Sequence, residues 1–326
     1  MILKELVMYR IGVDLGGTNI AVGLVDEKYQ IVCKKSLPTG VERGVEAIVV
    51  DMAALCQRVC EEAGVSMDDV ISVGVATPGA ANHDTGVVEY TNNIPFHKFP
   101  LADKLSALLN GKTVYIENDA NAAAWGEAIA GAAKGAKKSV MITLGTGVGG
   151  GIIIDGKVYS GFNYAGGELG HIVIEHNGVP CTCGRRGCWE AYSSATALIR
   201  MTKEKLEECQ KNGTKTAMGD YLSKDGRVTG RTAFDAMRAG DEAAKEVVDT
   251  YLSYLITGLV NIVNVFQPEV ISLGGGVSNE GQSLIDAIMP EIRKQRYGGD
   301  IFEGTEIRIA QLKNDAGIIG AAVLGM

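Results

Sequence analysis

The chain has 326 residues, 46% of them apolar and 21% charged, enough to bury a sizeable core in about two domains and too apolar for long disordered tails. With 31 basic and 39 acidic side chains the net charge is -8, so no global field draws it to nucleic acid or to an anionic membrane. Glycine, 43 of 326 residues or about 13%, stands near twice its usual ~7% share without a collagen period, which implies many tight turns or close backbone approaches to ligands.

In chain order, Lys4, Glu5 and Arg10 interrupt the apolar run that a signal peptide would need, and residues 1–7, ahead of Met8, read as an extension from an alternative start. Residues 10–25 read as strand, turn, strand: IGVD, LGGTN, IAVGLV. A helix is expected from Gly44 to Ala63, where Ile48, Met52, Leu55, Val59 and Ala63 recur at three- and four-residue steps, with Gly64 as its stop. Val70 to Ala76 is a buried strand ending in the turn Thr77-Pro78-Gly79. Val114 to Glu117 is another, leading through Asn118-Asp119 into an alanine-rich helix that ends near Gly131. SVMITL, GTGVGG and GIIIDGKVY then repeat the strand, turn, strand pattern. A helix from Glu242 to Phe266 is expected to bury Val247, Tyr251, Leu255, Leu259, Ile262 and Phe266 and to stop before Pro268. The strand Glu269 to Leu273 follows and runs into Gly274-Gly275-Gly276. Tyr251 to Phe266 is the longest apolar segment, and Ser253, Thr257, Asn261 and Asn264 leave it too short and too polar to span a bilayer. Seven cysteines without an export signal read as reduced thiols in the cytoplasm.

VDLGGTNIAVGLV (Val13 to Val25) and ITLGTGVGGGIII (Ile142 to Ile154) are one unit written twice, which suggests two α/β domains that each offer a glycine turn to one phosphate chain. No proline-rich linker separates them, so a hinge is expected. In Asp14-Leu15-Gly16-Gly17-Thr18-Asn19 the glycines let backbone N–H groups approach phosphate oxygens, and Thr18 and Asn19 add side-chain hydrogen bonds. Asp14 is placed to hold the Mg²⁺ that accompanies a nucleotide. The second turn, Gly145 to Gly151, matches G-x-G-x-x-G with Glu168 near the position of a dinucleotide site's acid, but a strand follows it where that motif requires a helix. A dinucleotide fold is therefore rejected, and no P-loop motif occurs.

His171 is followed after nine residues by Cys181-x-Cys183, and after four more by Cys188, a tetrahedral zinc set with Gly184 and Gly187 letting the chain wrap the metal. Cys33, Cys56, Cys60 and Cys209 read as core. A nucleic-acid-binding ribbon would use similar ligands beside Arg185-Arg186, against which the overall acidity counts. Asp119 alone would read as a helix N-cap. The crowding of Glu117, Asn118, Asp119 and Asn121 at a strand's C-terminal end, with Glu168, Glu190 and Asn92-Asn93 in other loops, suits a polyhydroxylated ligand, since each carboxylate can accept from two vicinal hydroxyls. His83, His97 and His176 have no such context and read as surface residues.

The segments DLGGTN, TPG, ENDAN, LGTGVGGG, GELGH and CTCGRRGCWEAY, together with the Asn314-Asp315-Ala316-Gly317 tail, resemble the ROK family (repressor, open reading frame, kinase) of sugar kinases and sugar-responsive regulators, and within it the bacterial glucokinases. The resemblance implies an α/β, two-lobed, ribonuclease-H-like fold of the actin/hexokinase ATPase type, with a central cleft and a zinc-binding loop. The small lobe would comprise residues 1–118 plus 313–326, and the large lobe 119–312. It implies ATP on Asp14, Gly16, Gly17, Thr18 and Asn19, on Thr146 and Gly147, and on Gly275 and Gly276. A hexose would lie on Gly79, Asn93, Asn118, Asp119, Glu168, His171 and Glu190. Asp119 would accept the proton of the 6-hydroxyl, and His171 would serve zinc with one nitrogen and the sugar with the other. The implied reaction is ATP-dependent phosphorylation of glucose, with mannose, fructose or N-acetylmannosamine as other acceptors, and a non-catalytic sugar sensor as a remoter reading. Asn93-Ile94-Pro95-Phe96-His97 departs from the family, in which a tryptophan commonly follows the asparagine; Phe96 or His97 takes that place. A repressor of the same family would need a winged helix-turn-helix ahead of Asp14, where 13 residues stand, so neither nucleic acid nor membrane is an expected partner. A homodimer or homotetramer is the family's habit.

Overall fold

A computed structural model describes residues 8–326, and the extension expected at residues 1–7 lies outside the described residues. The chain divides into two units. The first takes in the described chain up to Met141 with Gly151–Gly167 and Gln311–Met326, and the second Ile142–Gly150 with Glu168–Ala310.

In the first unit β1 (Tyr9–Leu15), β2 (Asn19–Val25), β3 (Ile31–Pro38), α1 (Val45–Ala63), β4 (Val70–Thr77), a small antiparallel sheet of β5 (Ala80–Asn82), β6 (Val87–Tyr90) and β7 (His97–Phe99), α2 (Leu101–Leu108), β8 (Val114–Asn118) and α3 (Asp119–Ala130) follow one another. The main sheet has the order β3-β2-β1-β4-β8, with β1 antiparallel to β2 and parallel to β4, and β4 parallel to β8. Its central strands β2, β1 and β4 are buried on both faces, and the two faces are built differently. Ile11, Val13 and Leu15 point with Val73 and Val75 into a large apolar cluster with Ile48, Met52, Leu55 and Val59 of α1. The alternate residues Gly12, Gly74 and Ala76 are small, because the last helix, α9 (Ala316–Ala322), lies directly on that face. A Cβ on Gly12 would stand 1.8 Å from the Ile318 carbonyl oxygen, and one on Gly74 1.8 Å from that of Ala321. Buried Glu127 of α3 binds α9's approach: its carboxylate accepts from the backbone N–H groups of Ala132 at 2.6 Å, Leu312 at 2.8 Å and Gln311 at 3.1 Å. Gly64 ends α1 as expected, in the left-handed conformation, its N–H donating to the carbonyls of Cys60 and Glu61.

The second sheet has the order β11-β10-β9-β12-β13, from β9 (Ser139–Leu144), β10 (Val148–Ile154), β11 (Lys157–Val158), β12 (Val270–Gly274) and β13 (Glu306–Ile309). The glycine hairpin therefore does occur twice. The second turn is shorter than its sequence suggests, however. Gly149, Gly150 and Gly151 belong to β10, where lack of a side chain serves packing: a Cβ on Gly150 would meet Leu169 at 2.7 Å. The helices of the second unit are α4 (Glu190–Ser193), α5 (Ala195–Asn212), α6 (Thr232–Arg238), α7 (Glu242–Phe266) and α8 (Gln282–Gln295). In α7, Val247, Tyr251, Leu255, Leu259 and Ile262 are buried, while Phe266 at the last position is only half-buried. Gln267 closes α7 in the left-handed conformation ahead of Pro268. Fully buried Trp189 lies on Gly258, whose Cβ would stand 1.9 Å from the indole, and donates its N–H to the Tyr254 carbonyl at 3.1 Å. Cys56, Cys60 and Cys209 are buried, and Cys33 on the edge strand β3 is half-buried. Among the described residues no helix is long and apolar enough to cross a membrane.

Candidate active site

In the first unit, the turn between β1 and β2 closes with Gly16 N–H donating to Asn19 O at 2.9 Å. Buried Thr39 fixes its direction, donating its hydroxyl to Gly16 O at 2.6 Å and its N–H to Thr18 O at 2.8 Å. With these carbonyls held, the exposed Thr18 and Asn19 form the turn's outer edge. The loop bearing Asn93 lies against it: a Cβ on Gly17 would stand 3.2 Å from that of Asn93. Asp14 is half-buried at the end of β1, with Gly317 of α9 against its carboxyl group. Burial pushes its pKa up to about 6, the charge of Asp119 adding to the rise and Lys34 opposing it.

Asp119 stands exposed at the first position of α3 and accepts from Ala120 N–H at 2.8 Å. The N-cap is Asn118, not Asp119: its side-chain oxygen takes the N–H groups of Ala120 at 2.9 Å and Asn121 at 3.1 Å. Its amide nitrogen donates to Gly79 O at 3.0 Å. Gly79 has φ +81°, and any Cβ there would strike Tyr90 O at 2.0 Å, so the TPG turn can carry only glycine. The unit thus assembles Asp14, Gly17 and Asn93, and separately Gly79, Asn118 and Asp119, with the charges of Asp14 and Asp119 close enough to interact. Of the loop residues that depart from the family pattern, Phe96 is core, stacked on Phe99 at 4.7 Å, and His97 is exposed. His97 and His176 are surface residues as expected. His83 keeps 37% of its side chain exposed, and its ring nitrogen is 3.1 Å from buried Glu117.

In the second unit, the turn is Gly145-Thr146-Gly147, with Gly145 N–H donating to Gly147 O at 3.0 Å. Its outer carbonyls are tied to the start of α5, Gly145 O to Ala195 N–H at 2.8 Å and Thr146 O to the Thr196 hydroxyl at 2.8 Å. Gly275 adjoins it at φ +84°, where a Cβ would stand 2.5 Å from the Leu144 carbonyl, and Gly276 beside it faces open space. Glu168 is exposed and opens the short 3-10 turn Leu169–His171. Glu190 is half-buried and reaches two ways. One carboxylate oxygen accepts from Val148 N–H at 3.0 Å beside the glycine turn. The other accepts from the Thr182 hydroxyl at 3.4 Å and lies 3.8 Å from Cys181 Sγ.

The ligand atoms of His171, Cys181, Cys183 and Cys188 all lie within 4.8 Å of one another, with His171 Nδ1 to Cys181 Sγ and Cys183 Sγ to Cys188 Sγ both at 3.6 Å. Zn–S bonds of about 2.3 Å in a tetrahedron put sulfurs about 3.8 Å apart, so the donor set fits zinc. The thiols also need a cation to ionise together. An N–H bond from Arg185 holds Cys183 below its ordinary value, whereas burial and the neighbouring sulfurs push Cys188 up to about 12. Gly184 and Gly187, at φ +86° and +80°, wrap the loop as their spacing implied. Arg185 and Arg186 bond to the carbonyls of His171 and Asn177.

Thr39 and the His83–Glu117 contact border the candidate site, and sequence reasoning does not reach either. Thr39 contacts a turn 23 residues back, and no local pattern marks it.

A fold of α/β units that each carry a glycine-hairpin turn, one beside paired aspartates and the other beside a Cys₃His cluster, defines the class. The sequence profile of the ROK family matches residues 10–326, and the chain belongs to that family. It is 39% identical to a glucokinase of Halalkalibacterium halodurans over 96% of this chain and 94% of that one. It is 31% identical to an N-acetyl-D-glucosamine kinase of Aliivibrio fischeri over 97% and 98%. A ROK family glucokinase from Streptomyces griseus, solved in complex with glucose and AMPPNP, superposes with a TM-score of 0.77 at 37% identity, covering 97% of this chain and 98% of that one.

Proposed function

We propose that the protein transfers the terminal phosphoryl group of Mg-ATP to the 6-hydroxyl of a hexose, glucose being the favoured acceptor, with Asp119 as the general base. One observation carries the reading: the first unit sets Asp119 at the head of α3 within electrostatic reach of Asp14. One carboxylate can then take the hydroxyl proton while the other holds the magnesium of the nucleotide. Phosphoryl transfer through a loose transition state needs position and charge neutralisation more than a strong base. The backbone N–H groups of Gly17, Thr18 and Asn19, on the turn that the Gly16 N–H closes, would meet phosphate oxygens, and Thr146, Gly147, Gly275 and Gly276 would supply the second unit's share of the nucleotide contacts. Asn93, Asn118, Glu168, His171 and Glu190 would bind ring hydroxyls, with the Asn118 amide shared between the sugar and its Gly79 contact. His171, Cys181, Cys183 and Cys188 would hold a structural zinc, which fixes the orientation of the imidazole and the loop that leads to Glu190. The relatives that favour glucose as acceptor share 39% and 37% of their residues with this chain.

The test is hexose-dependent ADP release across glucose, mannose, fructose, N-acetylmannosamine and N-acetylglucosamine. Glucose should give the highest kcat/KM, and Asp119→Asn should lower kcat by about 10²–10⁴-fold while hexose still binds. A variant that turns over near the normal rate would remove Asp119 as base, and a different preferred sugar would move the acceptor while keeping the reaction.

A further inference from the structure

Glu117 is 3% exposed and directly precedes Asn118 and Asp119, two residues on which the proposed chemistry relies. Its Oε1 accepts from Asn118 N–H at 2.8 Å and from the Asn121 amide at 3.1 Å, so it grips the chain on both sides of Asp119. Asn121 is itself 2% exposed, and its Oδ1 has no hydrogen-bond partner among the described residues, which leaves Glu117 as the anchor of that amide. Among the described residues, the other oxygen of Glu117 is held by Nδ1 of His83, at 3.1 Å.

His83 comes from a different element, the tip of the hairpin between β5 and β6. Its outer nitrogen, Nε2, lies 3.7 Å from Asp84, and its ring meets Tyr164 edge-on with centroids 5.0 Å apart. The Tyr164 hydroxyl donates to Asp84 at 2.5 Å, which holds the second wall of the imidazole's slot. The charged and titratable groups facing His83 are Glu117 of β8, Asp84 of its own hairpin and Tyr164, on which Glu89 of β6 also acts. Each carboxylate among them favours the imidazolium, and the hydrogen bond to Glu117 is the largest cause of the raised pKa of His83.

We propose that His83 is a positioning residue for phosphoryl transfer: it fixes the Glu117 carboxylate, which orients Asn118 and Asn121 and thereby holds Asp119 against the acceptor hydroxyl. When protonated, His83 also offsets the negative charge of Glu117 and Asp84 beside it. The proposal rests on Asp119 acting as the base. Misplacing a reacting group by a fraction of an ångström is costly to the transition state and nearly free in the ground state, so the effect belongs in kcat.

The experiment compares His83→Ala, His83→Asn and Asp119→Asn in zinc-replete protein, with kcat, the KM values for hexose and ATP, and the pH profile of each. His83→Ala should lower kcat by about ten-fold with both KM values within about two-fold of normal. Loss of the nearby cation should also move its acid limb to higher pH. His83→Asn, whose amide can donate where Nδ1 does, should recover most of kcat and keep the displaced limb. In the wild type, the His83 ring followed by NMR should titrate above the ordinary histidine value, and Glu117→Gln should bring it down. An inactive Asp119→Asn beside a His83→Ala of normal kcat and normal pH profile would overturn the positioning role alone. An active Asp119→Asn would overturn the base assignment and this role with it. If His83→Ala does not fold, a normal acid limb in His83→Asn together with an unshifted His83 ring pKa in the wild type would overturn the proposal.

Discussion

Asp14 is stabilised for binding and not for folding. Its carboxyl titrates near 6 in the folded chain against an ordinary 3.8, chiefly because it is buried and partly because Asp119 is near. An acid whose folded pKa is raised contributes stability that is whole below its unfolded pKa and is lost as pH rises through the folded one. At pH 8, without Mg²⁺ or nucleotide, Asp14→Asn should therefore raise the unfolding free energy by on the order of 2 kcal/mol, and near pH 4 the gain should vanish. Urea denaturation at the two pH values checks this, and equal stability of the two proteins at pH 8 would show that the buried charge costs nothing. The same variant should bind Mg-ATP poorly. At this scale the sequence shows Asp14, Asp119 and the Cys₃His set directly, because each lies in a short polar or glycine-rich run. It does not show which of Asn118 and Asp119 caps α3, since both residue types cap well. Nor does it show His83, whose partner Glu117 lies 34 residues away across two sheets.

α9 is a seven-residue helix whose hold on the first unit depends on missing side chains. A Cβ on Gly320 would stand 1.7 Å from the Ala122 carbonyl oxygen of α3, a backbone atom that cannot rotate away. In a free helix Gly→Ala is worth about 1 kcal/mol of added stability. Here overpacking decides the sign, and Gly320→Ala should destabilise the protein by about 3 kcal/mol. Gly219→Ala, at a glycine with nothing within 4 Å, should be near neutral. A thermal melt of the two variants settles it; equal Tm values would mean that α9 can shift without cost. Such glycines explain where the sequence was legible and where it was not. The 3.6-residue period of α7 gives its full span, because a long buried face outweighs local noise. Phe266 breaks the pattern only because the helix ends there. Gly149, Gly150 and Gly151 look like turn residues, yet they lie within a strand. A glycine kept for close packing and one kept for a turn are the same letter, and only the neighbouring element tells them apart.

At the level of the whole chain, the sugar contacts proposed for the second unit lie beside the cluster of His171 with Cys181, Cys183 and Cys188. Glu190 touches the cysteine loop through Thr182 and the glycine turn through Val148 N–H. If the loop holds the proposed zinc, losing it should free a carboxylate that also bonds beside Thr146-Gly147. The four side chains draw together residues 171 to 188, a segment with a 3-10 turn and isolated bridges as its regular structure, closed besides by backbone hydrogen bonds such as Ile174 N–H to Gly187 O and Cys181 N–H to Arg185 O, both at 2.9 Å. One equivalent of zinc per chain should survive purification. Removing it with a chelator should lower Tm and make Cys181, Cys183 and Cys188 reactive to a thiol reagent. Hexose binding, followed by calorimetry, should weaken at least about ten-fold, and adding zinc back should restore it. The loss should be larger for hexose than for ATP, because His171 and Glu190 are proposed to bind sugar directly while the nucleotide turn keeps its ties to Ala195 and Thr196. Metal-free protein with unchanged Tm and unchanged hexose affinity would show that the cysteine loop closes on its own hydrogen bonds, and that His171 owes its orientation to the Leu169–His171 turn.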